Sequence, residues 1–208
     1  MNSIETVTLE VSDPAAAEAF YGALGVGEHV DVRATDAPTT GFRSYTLSLV
    51  VSAPNIVDAY IGAAVDAGAT VLKPVKKGFW GYGGVVQAPD GAIWKVATSS
   101  KKNTGPSTRQ FDDLVLLLGV EDVKASKQFY LDRGLEVSKS YGRKYVEFAS
   151  RPKTVKLALY GRAALAKDAG LDPSGTGSHR IAISGVAGKF TDPDGFTWEA
   201  DQTVTPPV

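Results

Sequence analysis

"VSDPAAAEAFYGALGV", residues 11–26, reads as the end of a strand running into a capped helix. Asp13 is a good N-cap, Pro14 suits the first helical turn, and Gly25 or Gly27 supplies the stop. The plan returns in "VEDVKASKQFYLDRGLEV", residues 120–137, with a Phe-Tyr pair at the same distance from the strand end. Val11 maps onto Val120 and Tyr21 onto Tyr130, both at an offset of 109. A second echo follows. "APDGAIWKV" (88–96) and "DPDGFTWEA" (192–200) place Asp90 and Trp94 against Asp194 and Trp198 at an offset of 104. Ordered matches at both ends indicate two repeated units rather than one turn met twice by chance.

Unit one is expected over 1–98 and unit two over 111–208, joined by the linker "SSKKNTGPSTRQ" (99–110), which is polar and lacks apolar periodicity. In unit one, "IETVTLEVS" and "EHVDVRA" alternate like half-buried strands. From residue 43 to 98 the pattern is strand, helix and three strands, the helix "PNIVDAYIGAAVDAGA" being closed by Gly68. Unit two shows that pattern at its front, where "DDLVLLLGV" is apolar enough for burial on both faces. "RAALAKDAGL" then reads as a short helical turn and "SGTGSHRIAISG" as one strand. Each unit is abbreviated in the half that the other keeps. The expected fold class is α+β, with curved, mostly antiparallel sheets, flanking helices and one sheet per unit.

The 208 residues are 43% hydrophobic and 22% charged, as in an ordinary globular protein, and no apolar run approaches a membrane span. A net charge of −1 argues against a nucleic-acid partner, and the lack of cysteine removes disulfides and thiolate chemistry. The opening "MNSIETVTLEVSD" has no basic-then-apolar leader, so a cytoplasmic location is expected. Lys139, Arg143, Lys144, Arg151, Lys153 and Lys156 form either a solvated hairpin edge or an anion-attracting rim.

"VSDPAAAEAFYGALGV", "DAGATVLKPV", "APDGAIWKV" and "KQFYLDRGLEV" together resemble the vicinal-oxygen-chelate superfamily, which includes glyoxalase I, bleomycin-resistance proteins and extradiol dioxygenases. "LALYGRAALAKDAG" and "FWGYGG" resemble a glyoxalase-like subgroup. The resemblance implies tandem strand–helix–three-strand modules around a cleft. In metal-dependent members it also implies a divalent ion held by His and Glu. The first-strand ligand position falls on Thr6 and Val115, and the second-module position near Tyr45 or Thr46 and near His179 or Arg180. The last-strand position falls on Lys95 and Glu199. Only His179 and Glu199 are left as weak metal or catalytic candidates, too few for a tight ion.

The aromatic residues suggest another use. Phe79, Trp80 and Tyr82, with Tyr45, Lys95, Tyr141 and Arg180, are the expected ligand contacts, the "GYGG" segment (81–84) being read as a loop. Trp94 and Trp198 are either core residues or cleft lining. The leading expectation is a binder of an aromatic or amphipathic small molecule that uses no cofactor, as a monomer or homodimer. The alternatives are a divalent-metal lyase or dioxygenase, and an interaction module whose cleft is filled by its own side chains.

Overall fold

In the computed structural model, which describes residues 3–79 and 81–200, the chain forms four successive segments. The first holds β1 (Ile4–Val11), α1 (Pro14–Leu24), β2 (Val30–Ala34) and β3 (Thr39–Gly41). The second holds β4 (Tyr45–Val50), α2 (Pro54–Asp66), β5 (Thr70–Gly78), β6 (Gly81–Gln87) and β7 (Ile93–Thr98). The third holds β8 (Asp113–Val120), α3 (Val123–Leu131), β9 (Val137–Ser140), β10 (Tyr145–Phe148) and β11 (Lys156–Gly161). The fourth holds α4 (Arg162–Ala169), β12 (Gly175–Gly177), β13 (Ile181–Gly185), β14 (Phe190–Thr191) and β15 (Thr197–Ala200). The capping signals act where the sequence puts them. Asp13 accepts from the Ala16 amide and Asp122 from those of Lys124 and Ala125, and Gly25 takes a left-handed φ of 70°.

The expectation of one sheet per unit does not hold. The second and third segments share an eight-stranded sheet, β5-β6-β7-β4-β8-β11-β10-β9, and the first and fourth share a five-stranded one, β14-β15-β13-β1-β2. A third, two-stranded sheet pairs β12 with β3. The reason is edge satisfaction. β1 has β2 on one side only, and the buried amides of its other edge require a partner, which β13 supplies.

The two cross-unit seams share a register. Tyr45, Thr46, Leu47 and Ser48 face Leu118, Leu117, Leu116 and Val115, while Ile181, Ala182, Ile183 and Ser184 face Leu9, Thr8, Val7 and Thr6. Each seam is entered by a non-glycine residue in the left-handed region, Ser44 at φ 62° and Arg180 at φ 52°. Such a conformation costs on the order of 1–3 kcal/mol and needs support. It comes from the facing strand: Gly119 N–H donates to the Ser44 carbonyl at 2.6 Å, and Glu10 N–H to that of Arg180 at 3.0 Å.

One apolar cluster runs through both sheets and α1, α2 and α3, and it contains Trp94 and Trp198 at 0% and 1% exposure. Both are therefore core residues. β8 is buried on both faces because α4 covers the side opposite the core, with Leu165 and Ala166 packed on Leu117. Within each unit, a tyrosine of the first helix reaches the distant Asp-Gly turn. Tyr21 donates to Asp90 at 2.5 Å and Tyr130 to Asp192 at 2.6 Å. The second tie uses Asp192, two residues before the Asp194 that matches Asp90 in sequence, while Asp194 instead accepts from Ser126. Burial pushes the Tyr130 hydroxyl well above the ordinary tyrosine pKa, so it remains a donor, and it also accepts from the Trp198 indole at 3.2 Å.

Two local readings are corrected. Residues 81–84 belong to β6 rather than to a loop, and their glycines permit close strand approach. A methyl group at Gly83 would lie 2.8 Å from the Val96 carbonyl oxygen. "SGTGSHRIAISG" contains two short strands, β12 and β13. The linker has no strand or helix, yet it is anchored: the Asn103 side chain accepts from Asn55 N–H, and Ser107 donates to the Asn55 carbonyl.

Tyr130→Phe should cost about 1–3 kcal/mol in urea unfolding, because buried Asp192 and the Trp198 indole both lose a partner. Tyr21→Phe should cost less, since Asp90 is only half-buried. Equal stability of Tyr130→Phe and the parent protein would show that the tie contributes nothing.

Candidate functional site

The strand registers bring the first-strand and last-strand positions together across the units. Lys95 on β7 lies opposite Ser48 on β4, which lies opposite Val115 on β8. In the smaller sheet, Glu199 on β15 faces Ser184 on β13, which faces Thr6 on β1. Each row thus joins a residue of one unit to a residue of the other.

Neither row fits a divalent cation. Arg33 on β2 binds both oxygens of Glu199, at 3.0 and 3.3 Å, and also reaches Glu10 at 2.7 Å. Hydrogen bonds to Glu199 and then Glu10 raise the guanidinium pKa above its ordinary value, fixing a positive charge beside these carboxylates. His179 sits before β13, not in the row. Its Nδ1 and Nε2 face the carbonyl oxygens of Arg43 and Asp194 at 2.8 and 3.0 Å, and its ring stacks on Phe196 with centroids 4.1 Å apart. A backbone carbonyl oxygen stands within 3.0 Å of each nitrogen, so a metal could reach either one only by displacing it. In the larger sheet the row carries the Lys95 ammonium. Among the described residues, no group of three or more His, Asp or Glu side chains could hold a metal ion.

The larger sheet turns its other face to α4. Leu165 and Ala166 pack against Phe42, Leu117 and Tyr160, and Ala169 packs against Val85 and Ile93. Two lysines pin the end of the helix. Lys73 donates to the carbonyls of Lys167 and Asp168 at 2.8 and 2.6 Å, and Lys95 pairs with the Asp168 carboxylate at 2.6 Å. A groove of about 260 Å³ lies on one side of the Lys95–Asp168 pair, floored by Gly83, Gly84 and Val85. A larger one, about 940 Å³, lies on the other side, formed by Leu117, Tyr141, Tyr145, Tyr160 and Lys144. Its tyrosines form a ladder, with centroids 6.0 Å apart from Tyr141 to Tyr145 and 6.1 Å from Tyr145 to Tyr160. Glu147 accepts from the Tyr145 hydroxyl at 2.9 Å and holds that ring in place.

The expected ligand contacts separate in space. Lys95 touches both grooves, Phe79 lines the smaller one and Tyr141 the larger. Trp80 lies outside the described residues. Tyr82 borders the smaller groove but packs against the core, its hydroxyl donating to Asp58 of α2 at 2.7 Å. Two positions are corrected. Tyr45 is 1% exposed in the core, because its register on β4 puts it on the same sheet face as Leu118, opposite the face that packs on α4. Arg180 is a structural strap, its guanidinium spent on the Ala37 carbonyl and the Ser12 hydroxyl. Sequence reasoning did not single out Tyr160 or Asp168. Both lie in "LALYGRAALAKDAG", and an acidic residue in the last turn of α4, against the helix dipole, was the available signal. Of the basic cluster, Lys139, Arg151 and Lys156 pair with Glu147, Glu5 and Asp113.

Glyoxalase I from Zea mays superposes over 98% of this chain and 93% of its own, with a TM-score of 0.61 at 14% identity. A Bacillus subtilis protein named as a candidate dioxygenase superposes over 88% of this chain and 69% of its own, with a TM-score of 0.54 at 14% identity. The fold is that of the vicinal-oxygen-chelate proteins. No family model matches the sequence, and no curated protein matches it. At this level of identity the likeness concerns the vicinal-oxygen-chelate fold alone. No helix among the described residues is long and apolar enough to cross a membrane.

Purified, dialysed protein should hold no stoichiometric divalent ion by elemental analysis. One Fe, Ni, Mn or Zn per chain, lost in Glu199→Ala, would contradict the reading of the Arg33–Glu199 pair.

Proposed function

We propose that the protein binds a planar aromatic or amphipathic small molecule in the larger groove and does so without a metal. The observation that carries this reading is the tyrosine ladder beside Leu117 in a groove of about 940 Å³. Binding sites for small molecules have this size and this character, an apolar lining with a few placed polar groups. Aromatic rings bind planar ligands by burial and offset stacking. The same reading treats residues 1–98 and 111–208 as two fused copies joined through 99–110, whose sheets became shared. The metal-dependent lyase or dioxygenase alternative has no support from the donor set, since Glu199 is held by Arg33 and Lys95 holds the other row. Packing of α4 on the groove face favours a second reading, in which the cleft is filled and the protein acts as an interaction module.

A naphthalene-based fluorescent probe tests the first reading. Tyr160→Ala should weaken its binding by about 1–2 kcal/mol, roughly 5- to 30-fold, through lost burial and stacking. Tyr141→Ala should weaken it less, since that ring is 65% exposed. A folded Tyr160→Ala protein that binds as the parent does would sink the groove. Failure of every planar probe would favour the interaction module.

A further inference from the structure

We propose that Asp168 is a latch occupying the place of a ligand carboxylate, and that the groove takes a planar aromatic acid whose carboxylate displaces Asp168 from Lys95. This rests on the groove reading above and narrows its ligand class.

Lys95 and Asp168 line both grooves, so their ion pair stands between the two spaces. Among the described residues neither side chain has another ion pair, and both are well exposed, at 36% and 45%. An exposed pair of this kind is weak, so a second carboxylate can replace the first at little electrostatic cost. Asp168 is also badly placed for its own helix. It lies in the last turn of α4, where the dipole disfavours a carboxylate, and Lys73 already caps the carbonyls there. Helix stability therefore does not explain an acid at this position, whereas Lys95 does.

The remaining surroundings suit an aromatic acid. Lys144 adds a second positive charge in the larger groove and has no side-chain partner among the described residues. The rings of Tyr145 and Tyr160 and the side chain of Leu117 would take the aromatic body while its carboxylate reached Lys95. The incoming acid would exchange one charge-assisted hydrogen bond for another, and burial of its ring would supply the driving force. Release of Asp168 would leave Lys73 as the one lysine pinning the end of α4, beside the packing of Ala169, and let the two grooves join.

Calorimetric titration of the full chain with 2-naphthoate and with its neutral analogue 2-naphthamide tests this. The parent protein should bind the acid several-fold more tightly than the amide. Asp168→Asn should raise affinity for the acid by about two- to five-fold and leave the amide unchanged, the gain being that expected from losing a weak competing ion pair. Lys95→Met should abolish the preference for the acid, with thermal unfolding of each variant confirming that it is folded. Equal binding of acid and amide by the parent protein, or no gain in Asp168→Asn, would overturn the latch while leaving the groove intact. Binding of neither probe would remove the groove reading and the latch with it.

Discussion

The structure depends on backbone pairing across the two seams where the units meet, β4 against β8 and β1 against β13. An unpaired buried amide or carbonyl costs a few kcal/mol, and an interior strand presents several on each edge. β1 and β4 each have one partner from residues 1–98 and take the second from residues 111–208, and β8 and β13 do the reverse. Crossing over solves both deficits at once, and the same register at the two seams shows that one geometric solution is used twice. The left-handed Ser44 and Arg180 mark the point where each seam begins, and the amide of the facing strand holds each in place. The tyrosine–aspartate ties then join α1 to the turn before β7 and α3 to the turn before β15.

This pairing decides what the faces can do. In both sheets a row joins a first-strand position of one unit to a last-strand position of the other, and in both a cationic side chain governs that row. Arg33 answers Glu199 and Glu10, and Lys95 stands beside Asp168. A fixed cation neutralises the carboxylates that a metal would need and repels the metal itself. What remains on the larger sheet is apolar and aromatic surface flanked by lysines, with α4 laid across its middle. On the proposed reading, such a surface suits planar or anionic partners.

Much of this was legible in the chain. Asp13, Asp122 and Gly25 announce the helix ends, because capping depends on local backbone chemistry. The unusually apolar run of β8 signalled burial on two faces, although not that α4 supplies the second cover. Strand exchange was not legible, since the choice between pairing within and between units is made by edges far apart in sequence. The site was half legible for the same reason. Lys95 stood out against Glu199 by comparison of the two echoes, whereas Arg33 and Asp168 matter only through partners 166 and 73 residues away. Tyr45 misled because alternation along β4 does not reveal which face the rest of the molecule will bury.

The most direct test is to place a specific protease site in the linker between Lys102 and Ser107, cut the folded protein, and measure the size and thermal unfolding of the product. If each sheet is completed by both units, the cut chain should stay together as one particle and unfold in a single transition, and isolated fragments 1–98 and 111–208 should lack native structure until mixed. Two separable fragments, each unfolding cooperatively on its own, would contradict the account.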